Sequence, residues 1–268
     1  MKLHISAAVN HKWLFVLGLF LFFNAAQAQK AASPSREYIQ IKIYHAVDSS
    51  SLATISGYLQ SALLPALQKS GFTRTGFFTV IDNDTAKDKR IYVITPLSSL
   101  AQLEKLTETL DRTAGDSLLS PTYTKAAYNT PVFNRVETVL LHAFEGAPQV
   151  KASGLKGEKA DRVYELRSYE SATEALHQNK VRMFNSGEED LFQRLGFNAV
   201  FYGQVVAGSA MPNLMYMTSF DDKAARDEHW KAFGGDPEWK TLSAKPEFQH
   251  NVSKITIVFL RPMSYSRL

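Results

Sequence analysis

Apolar and polar residues alternate with period two from Tyr38 to Tyr44 and again from Val163 to Tyr169, the spacing of a strand. After the first of these, Leu52, Ile55, Leu59 and Leu63 recur at helical spacing up to Pro65, which should kink or divide the helix. After the second, 172–195 reads as a helix with a break at Ser186-Gly187. Both end at a glycine followed by phenylalanine, Gly71-Phe72 and Gly196-Phe197, where a helix C-cap is expected. Two strands follow as a hairpin in each case: 76–81 with 91–95, and 199–206 with 214–218. A second helix comes next, 97–110 or 221–233, the latter opened by the acidic pair Asp221-Asp222. A short proline-led helix then carries Tyr123 or Trp239, and a last strand closes each half, 136–144 or 252–260.

The order is βαββαβ twice, the ferredoxin-like unit. The halves align as a duplication: Lys42-Ile43-Tyr44 with Arg167-Ser168-Tyr169, Ser70-Gly71-Phe72 with Leu195-Gly196-Phe197, and Ser120-Pro121-Thr122-Tyr123 with Asp236-Pro237-Glu238-Trp239. A sheet with helices on one face leaves the other bare, and the two bare faces are each other's nearest cover. The expectation is an α+β chain of two tandem ferredoxin-like domains, 36–145 and 161–262, pairing sheet to sheet as a pseudo-dimeric α/β barrel. The Gly- and Pro-bearing stretch 146–160 reads as a linker and 263–268 as a tail.

Composition adds a leader and removes several function classes. Lys2 and Lys12 precede an apolar run from Trp13 to Phe23, and Ala26-Gln27-Ala28 is a small-x-small cleavage site, so 1–28 reads as a cleaved export signal. The expected location is the periplasm of a Gram-negative source, or otherwise secretion, with no membrane attachment once the signal is removed. Cleavage removes two lysines, so the mature charge is (30 − 2) − 26 = +2, and no basic stripe suggests nucleic acid. There is no cysteine, hence no disulfide and no thiolate chemistry.

The second half resembles the NIPSNAP family of the dimeric α/β-barrel superfamily. The resemblance runs from Val163 to Pro262 and rests on Tyr164-Glu165-Leu166-Arg167, Leu195-Gly196-Phe197, Arg226, Trp230 and Asp236-Pro237-Glu238-Trp239. The first half is a degraded version, with Ile39-Gln40-Ile41-Lys42 at the opening. The resemblance implies the ferredoxin-like fold and barrel pairing, in a tandem exported form, and brings no single enzymatic activity with it.

Alternation puts Gln40, Lys42 and Tyr44 on one face of their strand and Glu165, Arg167 and Tyr169 on the equivalent face of the other. With the isoleucines assigned to the helix side, these polar sets are expected to face the barrel interior. They then form either a ligand pocket, with Glu165, Arg167, Tyr169, Tyr216, His142 and Tyr44 as its residues, or a structural ion pair between Glu165 and Arg167. The five histidines beyond the signal, His45, His142, His177, His229 and His250, lack the spacing of a metal site, and no metal or cofactor is expected. Phosphate loops and serine-hydrolase elbows are missing as well. The function expected is that of an exported module binding a small apolar or anionic ligand or a partner, with a homodimer as one outcome. The alternative is a cofactor-independent enzyme, monooxygenase-like or haem-directed, using Tyr169, Arg167 and His142.

Overall fold

The computed structural model describes residues 35–268, one compact unit from Ser35 to Leu268. The stretch read as an export signal, 1–28, lies outside the described residues. Among the described residues no helix is long and apolar enough to cross a membrane.

The first half runs β1 (Tyr38–Ala46), α1 (49–69), β2 (Gly76–Val80), β3 (Lys89–Leu97), α2 (Ala101–Gly115), α3 (Pro121–Thr124) and β4 (Phe133–Ala143). The second repeats it as β5 (Val163–Glu170), α4 (174–194), β6 (Asn198–Ala207), β7 (Asn213–Phe220), α5 (Lys223–Gly235), α6 (Pro237–Ser243) and β8 (Lys254–Pro262). Asp48, Thr173 and Asp222 cap α1, α4 and α5 by accepting from the N–H of Ser51, Leu176 and Ala225.

Both long helices contain a π turn, Leu59–Leu63 in α1 and Phe184–Glu188 in α4. In α1 the α geometry resumes at Leu64 with Pro65 in its first turn, and in α4 Gly187 adopts φ 147°, which few side chains tolerate. The expected breaks at Pro65 and Ser186-Gly187 are thus built as widened turns. The offset 184 − 59 = 125 is the same as 163 − 38 for the first strands and 196 − 71 for the capping glycines.

All eight strands form one closed antiparallel barrel in the order β1-β3-β2-β8-β5-β7-β6-β4. The halves meet edge to edge, β2 on β8 and β4 on β6, so their inner faces enclose a single interior. That interior is apolar: Ile39, Ile41, Phe78, Ile94, Tyr164, Met217 and Leu260 are buried in it.

The face assignment made from the sequence is reversed. Ile39, Ile41 and Ile43 point inward with Tyr164 and Leu166, while Tyr44, Tyr169 and Tyr216 lie outside the barrel, under the helices. A closed interior offers a charge neither water nor a helix side chain as a partner, whereas the helix layer supplies both at its margins.

One end of the barrel is plugged by the segments read as linker and tail. Val150 and Leu268 belong to the interior cluster, and the Tyr164 hydroxyl donates to the Leu268 carbonyl at 3.1 Å. Glu37 holds the linker by accepting from Val150 N at 2.8 Å and from Arg74 Nη1 at 2.6 Å, and Arg74 Nη2 donates to the Val150 carbonyl.

Candidate functional site

Four of the six residues singled out in the sequence converge, on the helix-covered face of the second half. Glu165 on β5 has no exposed surface. Arg226 and Trp230 stand four residues apart on α5 and so share one helix face. Arg226 grips the Glu165 carboxylate through Nε and Nη2, both at 2.7 Å, and the Trp230 indole N–H adds a third bond at 2.7 Å. Arg167 Nε lies 2.9 Å from Glu165 Oε1, at ion-pair distance, with its guanidinium 4.0 Å from the Trp230 ring centre. Its Nη1 donates to the Tyr169 hydroxyl at 2.9 Å, and Tyr169 and Tyr216 share a hydroxyl contact at 2.9 Å. Burial pushes both phenols up, so they are neutral hydrogen-bonding groups here. Behind them Lys180 and Glu188 form a buried pair at 2.7 Å, in which burial pushes the Glu188 carboxyl up and the ammonium pulls against it.

The other two lie elsewhere. Tyr44 occupies the corresponding layer of the first half, against Tyr58 and Phe133, where burial first and then Tyr123 and Tyr58 drive its hydroxyl well up. His142 does not enter the barrel. It is part-exposed, stacks on Tyr38 at 4.5 Å, and is held low by burial and by Arg36. The positions matching Glu165 and Arg167 in the first half hold Gln40 and Lys42, so the carboxylate-centred network exists in one half alone.

The barrel interior opens at the end opposite the plug into a cavity of about 170 Å³, lined by seven of the eight strands, all but β2. Its wall is Ile43, Val139, Leu166, Val205, Met215 and Val258. Arg90 and Tyr92, two apart on β3 and hence on one face, supply its polar corner. Arg90 Nη1 donates to the Tyr92 oxygen at 2.9 Å, which leaves the phenol hydrogen without an acceptor among the described residues. Arg90 Nε is buried without a hydrogen bond and lies 3.5 Å from Asp88 Oδ2, at ion-pair distance. Burial pushes Tyr92 up to about 12, with Arg90 opposing and Asp88 and Glu137 adding, so the group is a neutral donor at physiological pH.

Carboxylates ring this mouth, each with a countercharge: Glu137 with Arg135 at 2.6 Å and Glu170 with Lys254 at 2.8 Å. His45 sits behind, nearly fully buried, with Nδ1 2.8 Å from Asp88 and Nε2 3.1 Å from Glu137. Sequence reasoning named neither Arg90 nor Tyr92. Their signal was available only through register: Tyr92 stands opposite Ile43, whose inward direction had been assigned the other way.

The comparisons agree with this architecture. Residues 164–267 match the NIPSNAP family model. Among solved structures, a protein of Fusobacterium nucleatum subsp. nucleatum described as a monooxygenase aligns with a TM-score of 0.57 at 8% identity, over 85% of this chain and 93% of its own. A Lactobacillus acidophilus protein described in the same way aligns at 0.55 and 11% identity, over 85% and 94%. An anthrone oxidase-like protein aligns at 0.51 and 10% identity, over 88% and 95%. At these identities the likeness is one of fold. No curated protein matches the chain in sequence. Residues 164–267 of this chain are therefore a NIPSNAP domain, built as one half of a closed α/β barrel.

Proposed function

We propose that the open end of the barrel binds a small molecule of about one ring in size, through an anionic or carbonyl oxygen placed between Arg90 and Tyr92. The observation that carries this is the Tyr92 hydroxyl, whose hydrogen has no acceptor among the described residues, beside the Arg90 guanidinium, whose Nε has only a 3.5 Å ion pair with Asp88, at a mouth whose wall mixes apolar side chains with a polar rim. An apolar cavity of about 150 Å³ holds a benzene-sized guest, so about 170 Å³ leaves room for a ring with one small substituent. A guanidinium beside a neutral phenol selects an oxygen anion or carbonyl over a cation. In this reading Glu165, Arg167, Tyr169 and Tyr216 fix β5 and β7 from behind and do not touch the ligand.

The proposal includes the finer organisation: two ferredoxin-like units joined by duplication in a chain exported by residues 1–28. An oxygenase reading draws on the descriptions of the fold neighbours and on the Tyr92 and Arg90 corner. The cavity argues for the binding role, because a three-ring body of the anthrone kind, or a porphyrin, exceeds its volume.

The test is a titration with benzoate and benzaldehyde followed by NMR. Binding is expected to fall at least about tenfold in Arg90→Met, and to vanish in Val205→Trp, which fills the cavity. Unchanged affinity in both variants would move the site elsewhere. Oxygen uptake with either compound would favour the enzyme.

A further inference from the structure

A second cleft, of about 390 Å³, opens on the outside of the barrel between the connecting segment 146–154, α4 and β6. Phe184, Phe197 and Tyr202 line it, together with Glu189, Asp190 and Lys151. Glu189 follows the π turn of α4. Its neighbour Glu188 turns to Lys180, while Glu189 Oε1 is buried and accepts no hydrogen bond from any described residue. The carboxylate packs against Gly146, where a Cβ would stand 2.3 Å from Oε2, so any larger residue there would push it out. The Gly146 N–H is held by Asn185 Oδ1 at 3.0 Å, which fixes the segment over the acid.

A buried acceptor without a donor loses its solvation uncompensated, more so when charged, and the surroundings add to that cost. Asp190 and Lys151 line the cleft, Glu188 pairs with Lys180 next to Glu189 in the chain, and Glu145, next to Gly146 in the chain, pairs with Arg36 at 3.7 Å. From β6 no charge faces the carboxylate, only the Tyr202 hydroxyl. Burial first, then Asp190 and Glu188, push the Glu189 carboxyl up to about 7.

We propose that this cleft is a separate binding site for a small molecule carrying an ammonium group on an apolar body, with Glu189 as the counter-ion and Phe184, Phe197 and Tyr202 as the wall. An ammonium supplies the missing donor and offsets the excess of acids lining the cleft. The aromatic rings favour a cation beside an apolar body. An anionic ligand would leave Oε1 without its donor and meet Asp190.

The experiment uses the full-length chain and 2-phenylethylammonium as probe, followed by amide NMR shifts and calorimetry. Saturable shifts are expected at Gly146, Asn185 and Asn198. Affinity should rise about tenfold between about pH 5.5 and about pH 8.5, as Glu189 gives up its proton. Glu189→Gln keeps the shape and should lose about tenfold or more. Should that variant fail to fold, Lys151→Glu, at the cleft wall, is expected to tighten binding severalfold. Absence of shifts at these amides, unchanged affinity in the variant measured, or equal binding of uncharged ethylbenzene would each overturn the proposal. Shifts confined to Tyr92 and Met215 would also do so, since they would place the probe at the barrel mouth.

Discussion

The indole N–H of Trp230 donates to Glu165 Oε2 at 2.7 Å, and this bond ties α5 to a carboxylate with no exposed surface. The same carboxylate is shared by Arg226 and Arg167. Removing it leaves two guanidinium groups facing each other in a half-dry layer. Glu165→Leu should therefore destabilise by about 3–5 kcal/mol, although it adds apolar volume to a buried site. Urea unfolding measures this directly. A loss below about 1 kcal/mol would mean the arginines find water, and that the network is not structural.

Glu189 gives the chain a pH signature of known sign. Its folded value, about 7, lies above the ordinary 4.5. Between those values the folded chain keeps a proton that the unfolded chain has released, so stability from this group is present at low pH and is lost as pH rises through that window. At full strength the gap corresponds to about 3 kcal/mol, and partial exposure reduces it to on the order of 2 kcal/mol. Subtracting the Glu189→Gln profile from that of the wild type isolates the group from other carboxylates. The difference should change most between about pH 5 and about pH 7. A flat difference would place the carboxyl in water.

Trp239 packs at a tilt against Phe233, ring centres 4.4 Å apart and planes 37° apart, yet stays partly exposed at the start of α6. A fully buried tryptophan would cost about 3–5 kcal/mol on truncation, and partial exposure lowers this to about 2–3 kcal/mol for Trp239→Ala. Tyr123 holds the matching place in the first half, stacked on Tyr58 at 3.9 Å. Thermal unfolding at one pH suffices as the readout. A cost near that of a fully buried ring would show that α6 closes further in solution.

What could be read from the chain, and what could not, divides along the local and the non-local. The alternation in β1 placed Ile39, Ile41 and Ile43 on one face and Gln40, Lys42 and Tyr44 on the other, and the alternation of β5 separated Tyr164 and Leu166 from Glu165, Arg167 and Tyr169 in the same way. It did not say which face turns inward, because both faces are covered, one by the barrel and one by helices. Glu165, Arg167, Tyr169 and Tyr216 were named together and do meet, because cross-strand spacing alone brings them close: Arg167 is opposite Tyr216. Arg90 and Tyr92 were missed because their neighbours Leu166, Met215 and Val258 come from the other half, across a closure no local pattern encodes. The π turns were equally hidden, since Leu59–Leu63 and Phe184–Glu188 share position but no residue pattern.

The closure itself yields the last prediction. The second half, expressed alone from about residue 161, retains β5 to β8 and the whole NIPSNAP match but loses both seams. At one seam Val80 pairs with Leu260 and Thr79 with Arg261. At the other Leu141 pairs with Val205 and Ala143 with Gly203. Separation leaves β8 and β6 as open edges and uncovers Leu166, Met217, Val258 and Leu260, which the first half and the Val150 plug had kept dry. Open edges and a bare apolar face together drive association. A second copy offers the same two edges and the same face, so the isolated half should form a dimer that rebuilds the eight-stranded barrel. Light scattering with a concentration series reads this out, and Leu166→Lys, which puts a charge at the centre of the new interior, should dissociate or unfold it. A well-folded monomer that persists at high concentration would show that one half covers its own inner face.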